Sequence, residues 1–399
     1  MTAYVIDAIR TPIGKYGGAL AGVRPDDLLA GLLKALQTRN PDVDFAALED
    51  VIIGAANQAG EDNRNVARMA SLLAGLPQTA GGTTVNRLCA SGLDAIMTAA
   101  RALQCGDGDL YIAGGVESMS RAPMVMGKSD SAFGRSQQLY DTTMGWRFTN
   151  PALEAAGHTD TMGQTAENVA AKYQVSREAQ DAFAANTQQK YAQADAAGAF
   201  ANELVPVQVP GKKGSVTEVT KDEHPRLSTE EQLATLKPAF TKTGSVTAGN
   251  SSGINDGASV LLLASEAYVQ KHNLKPLAKV VSMAVAGVEP KYMGMGPVPA
   301  MQKALSRAHL TASDLDLVEL NEAFAAQAIP CMQELGLDEE KVNIHGGAIA
   351  LGHPLGCSGA RISTTLLHAL QKTGGKYGAA SMCVGVGQGA AIIYERVDA

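Results

Sequence analysis

Leu88-Cys89-Ala90-Ser91-Gly92 and Leu355-Gly356-Cys357-Ser358-Gly359 are two versions of one short motif, 267 residues apart. The same offset carries Asp50-Val51-Ile52-Ile53 onto Leu317-Val318-Glu319-Leu320, and Lys34-Ala35-Leu36 is echoed by Lys303-Ala304-Leu305 at nearly that spacing. Self-similarity at a fixed separation marks a duplicated structural unit. Each copy reads as helix, buried strand, strand, glycine-rich turn, helix and buried strand. The strands include Val51–Gly54, Leu110–Gly114, Leu317–Leu320 and Ala379–Cys383. Short apolar strands alternating with helices predict sheets covered on both faces, hence an α/β protein of two similar halves. In this alignment Asn321 falls on Gly54, and Gly356 on Cys89.

Between the halves the pattern changes. Four segments are expected: 1–119 as the first core half, 120–247 as an inserted loop domain, 248–272 as a return to the first half, and 273–399 as the second core half. Within the insertion, Gln164 to Ala197 predicts two amphipathic helices broken near Val175-Ser176, with Ser176 as N-cap. Lys212, Lys213, Lys221, Arg226 and Lys237 follow. Such a run is either a solvated face or a set of cations lent to a polyphosphate.

A chain of 399 residues holds two or three domains, and 45% apolar against 18% charged residues describes a soluble globular protein. A net charge of −7 argues against nucleic acid and anionic membrane as partners, so a small anionic ligand needs a local basic patch. No run of about 18 apolar residues offers a membrane span. The start, Met1-Thr2-Ala3-Tyr4-Val5-Ile6-Asp7, enters a strand without a basic or long apolar leader, and a cytoplasmic location is expected. Five cysteines without a Cys-x-x-Cys pair argue against a disulfide framework or structural zinc, and no metal ligands are assigned.

Two of those cysteines have a chemical setting. Cys89 follows the β-prone Thr83-Thr84-Val85 and opens an alanine-rich helical stretch. A thiol at a helix start faces unpaired N–H groups and the positive dipole end, which favours thiolate. Cys383 opens Cys383-Val384-Gly385-Val386-Gly387-Gln388-Gly389 at the end of an apolar strand, where bare backbone N–H groups can meet a substrate oxygen. A nucleophilic thiol with a second, acid/base thiol suits carbon–carbon bond chemistry on thioesters. Exchange between thiols is nearly isoenergetic, and oriented donors can stabilise a thioester enolate without a metal. Asn321-Glu322-Ala323-Phe324-Ala325 and Gly346-Gly347-Ala348-Ile349-Ala350-Leu351-Gly352-His353-Pro354 lie at a strand end and a helix start, where α/β sites gather. Cys105, Cys331 and Cys357 read as small buried hydrophobes, and the role of His345 stays open.

These four boxes, in this order and spacing, resemble those of the thiolases, the acetyl-CoA acyltransferases. The likeness runs from Arg10-Thr11-Pro12-Ile13-Gly14 to the C-terminus. It implies a five-layered α-β-α-β-α thiolase fold, made of two similar halves plus an inserted loop domain. It implies that Cys89 takes the acyl group and that His353 accepts its proton. Asn321 would position a water that stabilises the enolate with His353, and Cys383 would move the α-proton. The N–H groups of Cys89 and Gly385 would form the second oxyanion hole. Coenzyme A is then a substrate, with no permanently bound cofactor. The resemblance places Arg226 near the adenine, Ala248 and Ser252 along the pantetheine, and Met162 and Phe324 at the acyl end. It also suggests a homodimer or homotetramer.

Two positions depart from the family pattern. Val386 replaces the middle glycine of the closing box, and Thr161 stands where many short-chain members have histidine. The second departure counts against acetoacetyl-CoA as the specific substrate. Glu61-Asp62-Asn63-Arg64-Asn65-Val66-Ala67-Arg68, Met124–Lys128 and Asp141–Phe148 resemble loops of the 3-oxoadipyl-CoA thiolases of aromatic-compound catabolism, whose substrate carries a terminal carboxylate. Acetoacetyl-CoA and medium-chain 3-ketoacyl-CoA remain the alternatives. A decarboxylating ketosynthase shares the fold but pairs its cysteine with two histidines. A non-catalytic acyl-CoA-binding relative need not keep all four chemical residues.

Overall fold

The computed structural model describes residues 1–397. The chain begins with β1 (Ala3–Arg10), β2 (Gly14–Lys15), α1 (Pro25–Arg39), β3 (Leu48–Gly54), α2 (Val66–Leu73), β4 (Thr83–Val85), α3 (Ser91–Cys105) and β5 (Leu110–Ser118). The segment after β5 holds two small hairpins, β6 (Met124–Met126) with β7 (Leu139–Asp141) and β8 (Val207–Pro210) with β9 (Val216–Val219). Its helices are α4 (Pro151–Ala155), α5 (Met162–Tyr173), α6 (Arg177–Ala196) and α7 (Glu230–Ala234). Then come β10 (Asn255–Ser265), α8 (Glu266–Lys271), β11 (Ala278–Gly287), α9 (Pro297–Ala308), β12 (Leu317–Leu320), α10 (Ala325–Leu335), α11 (Ala348–Leu351), α12 (Leu355–Thr373), β13 (Tyr377–Val384) and β14 (Gln388–Arg396).

Strand pairing follows the path β12-β13-β14-β11-β1-β10-β5-β3-β4, with β2 on β10. The path is a near palindrome about β11–β1. In each half a parallel pair, β3–β5 or β12–β13, continues into antiparallel partners. Among the described residues the sheets of the two halves pair at two positions, Tyr4 with Lys279 and Val5 with Ala278. So short a seam lets one half fold over the other, and α3 and α12 fill the gap, touching strands of both halves. Fourteen of the nineteen residues of α12 are buried, as expected of a helix enclosed on every side. The leucines of α1 cover the outer face of the first half, and α9 and α10 that of the second. These are the five layers.

The repeat is imperfect at one element. The first half has both strands expected before its glycine turn, but the second has only β12. The partner of β12 is reduced to one parallel bridge, Val318 to Val342. Asn343 then turns the chain with φ 48. Its side chain takes over the pairing, accepting from Leu320 N at 2.9 Å and donating to Leu320 O at 2.8 Å. The helices α5 and α6 match the expected pair, and Ser176 caps α6 by accepting from Ala179 N. Among the described residues no helix is long and apolar enough to cross a membrane.

One buried cluster fastens the segment between the halves to β1. Arg10 is fully buried. Its Nε donates to Glu203 at 2.5 Å, and Nη1 and Nη2 donate to Asp222 at 2.7 and 3.1 Å. Phe200 lies 5.2 Å below the guanidinium. Burial works against the charge on Arg10, and the carboxylates of Asp222 and Glu203 overcome it. Arg10→Leu leaves both carboxylates uncompensated, and removing one partner of a buried pair costs about 3–5 kcal/mol. The urea midpoint of this variant should fall accordingly; an unchanged midpoint would show that the cluster does not hold the segment in place.

Candidate active site

Cys89 lies in a single 3-10 turn, Leu88–Ala90, ahead of α3 rather than within its first helical turn. Leu88 is held at φ 46, a left-handed conformation that tips the thiol out at the strand-to-helix corner. Ser91 pins the corner: its Oγ donates to Leu88 O at 2.6 Å and accepts from Arg87 N at 2.9 Å. The N–H groups of Gly385 and of Cys89 itself lie against the sulfur and pull its pKa down. Burial outweighs them and pushes the thiol up to about 11, with the charge of Glu117 adding to the rise. The expected resting thiolate is thus corrected. A helix-start position favours thiolate only where water or a cation also helps, and desolvation wins here.

His353 follows Gly352 and immediately precedes α12. Its N–H donates to Asn255 Oδ1 at 2.9 Å. The Oγ of Ser358 donates to Pro354 O at 2.8 Å and sits 2.6 Å from His353 Nδ1. A carbonyl only accepts, so the single hydroxyl proton is committed to it. Nδ1 therefore carries the imidazole proton and Nε2 is the bare base. Nε2 is buried without a hydrogen-bond partner among the described residues. Burial first, and then Arg361, lower the pKa of His353 to about 4, so the ring is neutral at pH 7.

Asn321 follows β12, and its N–H donates to Ser381 O at 2.9 Å. Both polar atoms of its amide are buried and unpartnered among the described residues. Two residues beyond Ser381, Cys383 is buried. Burial, together with the nearby Cys89 and Cys331, pushes its pKa well up. The turn carrying Cys89 packs against both β13 and α12. Cys89, Cys383, Asn321 and His353 are thus presented by adjoining elements from both halves. Val386 stands at φ 62, where a β-branched side chain costs about 1–2 kcal/mol. The amide of the neighbouring Gly385 nevertheless points at Cys89.

The remaining expected residues are held by contacts of their own. Arg226 Nη2 donates to Ala248 O. Ser252 donates to Ala323 O through N at 3.0 Å and Oγ at 3.1 Å. Ser251 bridges Phe324, and Phe324 shares an apolar cluster with Cys383 and Met162. A Cβ on Gly385 would lie 3.6 Å from Met162 Sδ. Lys212 and Lys213 ride the turn of the β8–β9 hairpin, whose valines pack on the outer core of the first half. Thr161 caps α5 by accepting from Gln164 N at 3.3 Å. His345 lies edge-on to Phe200, 5.8 Å between ring centres. Asn255, Ser358 and Glu117 escaped the sequence reading. A lone acid inside the apolar run Leu110–Ser118 is the signal that could have found Glu117.

A folded-over pair of α/β halves with two thiols at their junction is the architecture of enzymes that transfer acyl groups between thiols. Residues 3–267 match the family model "Thiolase, N-terminal domain" and residues 274–396 match "Thiolase, C-terminal domain"; the chain belongs to the thiolase family and is an acyltransferase. It is 60% identical over 397 residues to a beta-ketoadipyl-CoA thiolase of Pseudomonas aeruginosa, covering 99% of both chains. It is 58% identical over 398 residues to the 3-oxoadipyl-CoA/3-oxo-5,6-dehydrosuberyl-CoA thiolase of Escherichia coli, again covering 99% of both. Human mitochondrial 3-ketoacyl-CoA thiolase in complex with CoA superposes with a TM-score of 0.92 at 41% identity, over 99% of this chain and 98% of that one.

A neutral resting thiol has a measurable signature. With a pKa near 11, alkylation of the Cys89 peptide by iodoacetamide should climb about 10-fold per pH unit from pH 7 to 9, because only the thiolate reacts. Peptide mass spectrometry follows the rate, and a plateau in that interval would mean that the resting enzyme already holds thiolate.

Proposed function

We propose that the protein cleaves 3-oxoadipyl-CoA with CoA, giving acetyl-CoA and a four-carbon acyl-CoA, and that it can run the reverse condensation. The observation that carries this reading is the convergence on Cys89 of two backbone donors, the amides of Cys89 and Gly385. Cys89 loses its proton to Nε2 of His353 and attacks the C3 carbonyl. The C2–C3 bond breaks, leaving the shortened acyl group on Cys89 and the enolate of acetyl-CoA. The unpartnered amide of Asn321 and Nε2 of His353 serve the enolate oxygen, the first through a water, and Cys383 delivers the proton to C2. A CoA thiol then passes its proton to the Cys383 thiolate and attacks the acyl-enzyme, whose oxygen rests on the same two amides, and Cys89 leaves as thiolate and recovers its proton from His353. CoA lies along Arg226, Ala248 and Ser252, with Met162 and Phe324 at the acyl end, and is a substrate rather than a resident cofactor. The cytoplasmic setting and the homodimer or homotetramer belong to this reading too, and the exposed apolar side chains of β6 and β7 support the assembly.

The two thiols separate in a half-reaction test. Cys89→Ser should take no acetyl label from acetyl-CoA. Cys383→Ala should still label at the Cys89 peptide but lose carbon–carbon cleavage by about 10²–10⁴-fold, the usual worth of a general acid–base group. Label on Cys383 in the parent enzyme, or near-normal cleavage by Cys383→Ala, would reverse the roles.

The substrate carboxylate needs a cation in a mostly apolar acyl site. The names of relatives 58–60% identical, thiolases of beta-ketoadipyl-CoA, support this choice of acyl chain, and Arg147 fits the need. Its strap is tied at Thr142, which accepts from Asn57 Nδ2 at 2.9 and 3.1 Å, and at Trp146, whose Nε1 donates to Asp160 O at 3.3 Å. Asp160 lies two residues before Met162. Arg147 is half-buried, and among the described residues no carboxylate pairs with it. Arg68 is spent on the carbonyls of Ala80 and Gln78, while Arg64 and Arg135 are exposed. Arg147→Ala should lower kcat/KM for 3-oxoadipyl-CoA about 10-fold or more and leave 3-oxohexanoyl-CoA nearly unchanged. Equal losses would assign Arg147 to structure only, and a parent enzyme that prefers 3-oxohexanoyl-CoA would point to a general 3-ketoacyl-CoA thiolase.

A further inference from the structure

Cys89 and His353 come from different halves of the chain, and catalysis between them needs a fixed gap. Glu117 lies where that gap is set. It is the one acid in β5, and it is buried along with the rest of that strand. No cation pairs with it among the described residues. Its carboxylate instead accepts three backbone amides. Oε2 takes Gly356 N at 2.7 Å and Ala56 N at 2.9 Å, and Oε1 takes Asn57 N at 3.1 Å. Gly356 is in the first turn of α12, three residues after His353. Ala56 and Asn57 follow β3 in the other half.

The connection continues to the nucleophile. The carbonyl of Ala56 accepts from Asn86 Nδ2 at 3.0 Å, and Asn86 Oδ1 accepts from Leu88 N at 2.8 Å. Leu88 is bonded to Cys89. A side branch leaves Asn57, whose Nδ2 donates to Thr142 at the root of the strap. An unbroken chain of hydrogen bonds and peptide links therefore runs from the helix turn after His353, through one carboxylate, to the turn before Cys89. Burial pushes the Glu117 carboxyl up to about 7 against the pull of these three amides, and the ionised form is the one that takes three N–H donors without presenting a proton of its own. Space allows little else: a Cβ on Gly356 would lie 2.8 Å from Glu117 Oε2 and 2.7 Å from Ala55 Cα.

We propose that Glu117 is a positioning residue that sets the register between the Cys89 turn and the His353 helix, and so the rate of proton transfer from Cys89. The proposal rests on the assignment of Cys89 as nucleophile and His353 as its base. Glu117 touches no reacting atom. Its loss should therefore slow the chemical step without weakening acyl-CoA binding, which the proposed site assigns to Arg226, Ala248 and Ser252, none of them bonded to Glu117.

Single-turnover acetylation of Cys89 by acetyl-CoA, followed by intact-protein and peptide mass spectrometry, tests it. Glu117→Gln keeps the size and one acceptor oxygen but turns a donor toward the amides. Its maximal acetylation rate should fall about 10-fold or more, the worth of a charged buried hydrogen bond, while the acetyl-CoA concentration at half-maximal rate stays within about 2-fold. Glu117→Ala should fall further; where it does not fold, the glutamine variant still decides. Arg10→Leu, which loosens the segment carrying Arg226 and Met162, is the contrasting control: its loss should appear in half-saturation rather than in the maximal rate. A glutamine variant that acetylates at the parent rate, or one whose loss is in half-saturation instead, would overturn the proposal. Failure of the parent enzyme to label at Cys89 would instead strike the underlying assignment.

Discussion

The close crossing of α3 and α12 over β5 is the constraint on which the rest depends. Main chain meets main chain there. A Cβ on Gly92 would lie 2.6 Å from the carbonyl oxygen of Gly356, and one on Gly115 would overlap that same oxygen. A Cβ on Gly359 would overlap the amide of Leu93, and one on Gly54 the carbonyl carbon of Ser91. Such approaches are open only to glycine. They bring two helix starts and two strand ends together, and with them the turn of Cys89 and the helix entry of His353. Five buried layers around this crossing, with α12 enclosed by both halves, supply the apolar packing that holds it shut.

The same compactness fixes the charge state of the site. Nothing cationic faces Cys89, and Glu117 lies nearby, so the thiol rests protonated. His353 rests neutral for the same reason of burial. With both groups neutral, no charge is stored until a substrate carbonyl provides an oxygen for the amides of Cys89 and Gly385. Reactivity is then coupled to occupancy, which limits loss of the nucleophile to stray electrophiles. Ser358 contributes by fixing the tautomer: without the bond to Pro354 O its hydroxyl could donate to Nδ1, and Nε2 would carry the proton instead.

The duplication was legible because the crossing imposes it on local sequence. Ser91-Gly92 and Ser358-Gly359 recur for packing, the serines bonding their own helix entries and the glycines admitting the partner helix. The strands were legible from their apolar runs, and the helix break at Ser176 from its cap. The protonation state of Cys89 was not legible, since the apolar cluster it packs against draws on β13, β14 and α12, distant parts of the chain. Neither was the relay through Glu117, which joins residues 56, 86, 117 and 356 by main-chain donors that every residue but proline possesses. The missing second strand was equally hidden, because the side chain of Asn343 imitates a backbone partner.

The crossing also explains why a duplicated fold holds one asymmetric site. Gly54 and Asn321 occupy equivalent positions, as do Cys89 and Gly356. At each pair, one half keeps glycine because neighbouring chain lies where its side chain would be: the main chain of Ser91, from its own half, against Gly54, and the main chain of Ala55 and Val116 with the Glu117 carboxylate against Gly356. The other half is then free to carry a functional group, Asn321 in the second half and Cys89 in the first. A side chain at Gly54 would push against the start of α3, and one at Gly356 would push α12 off β5, while two glycines at a pair would leave nothing to react. The symmetric packing problem thus has an unsymmetric solution, which places Cys89 in one half and His353, Asn321 and Cys383 in the other. Under the proposed roles, proton transfer then crosses between halves held together by main-chain contact.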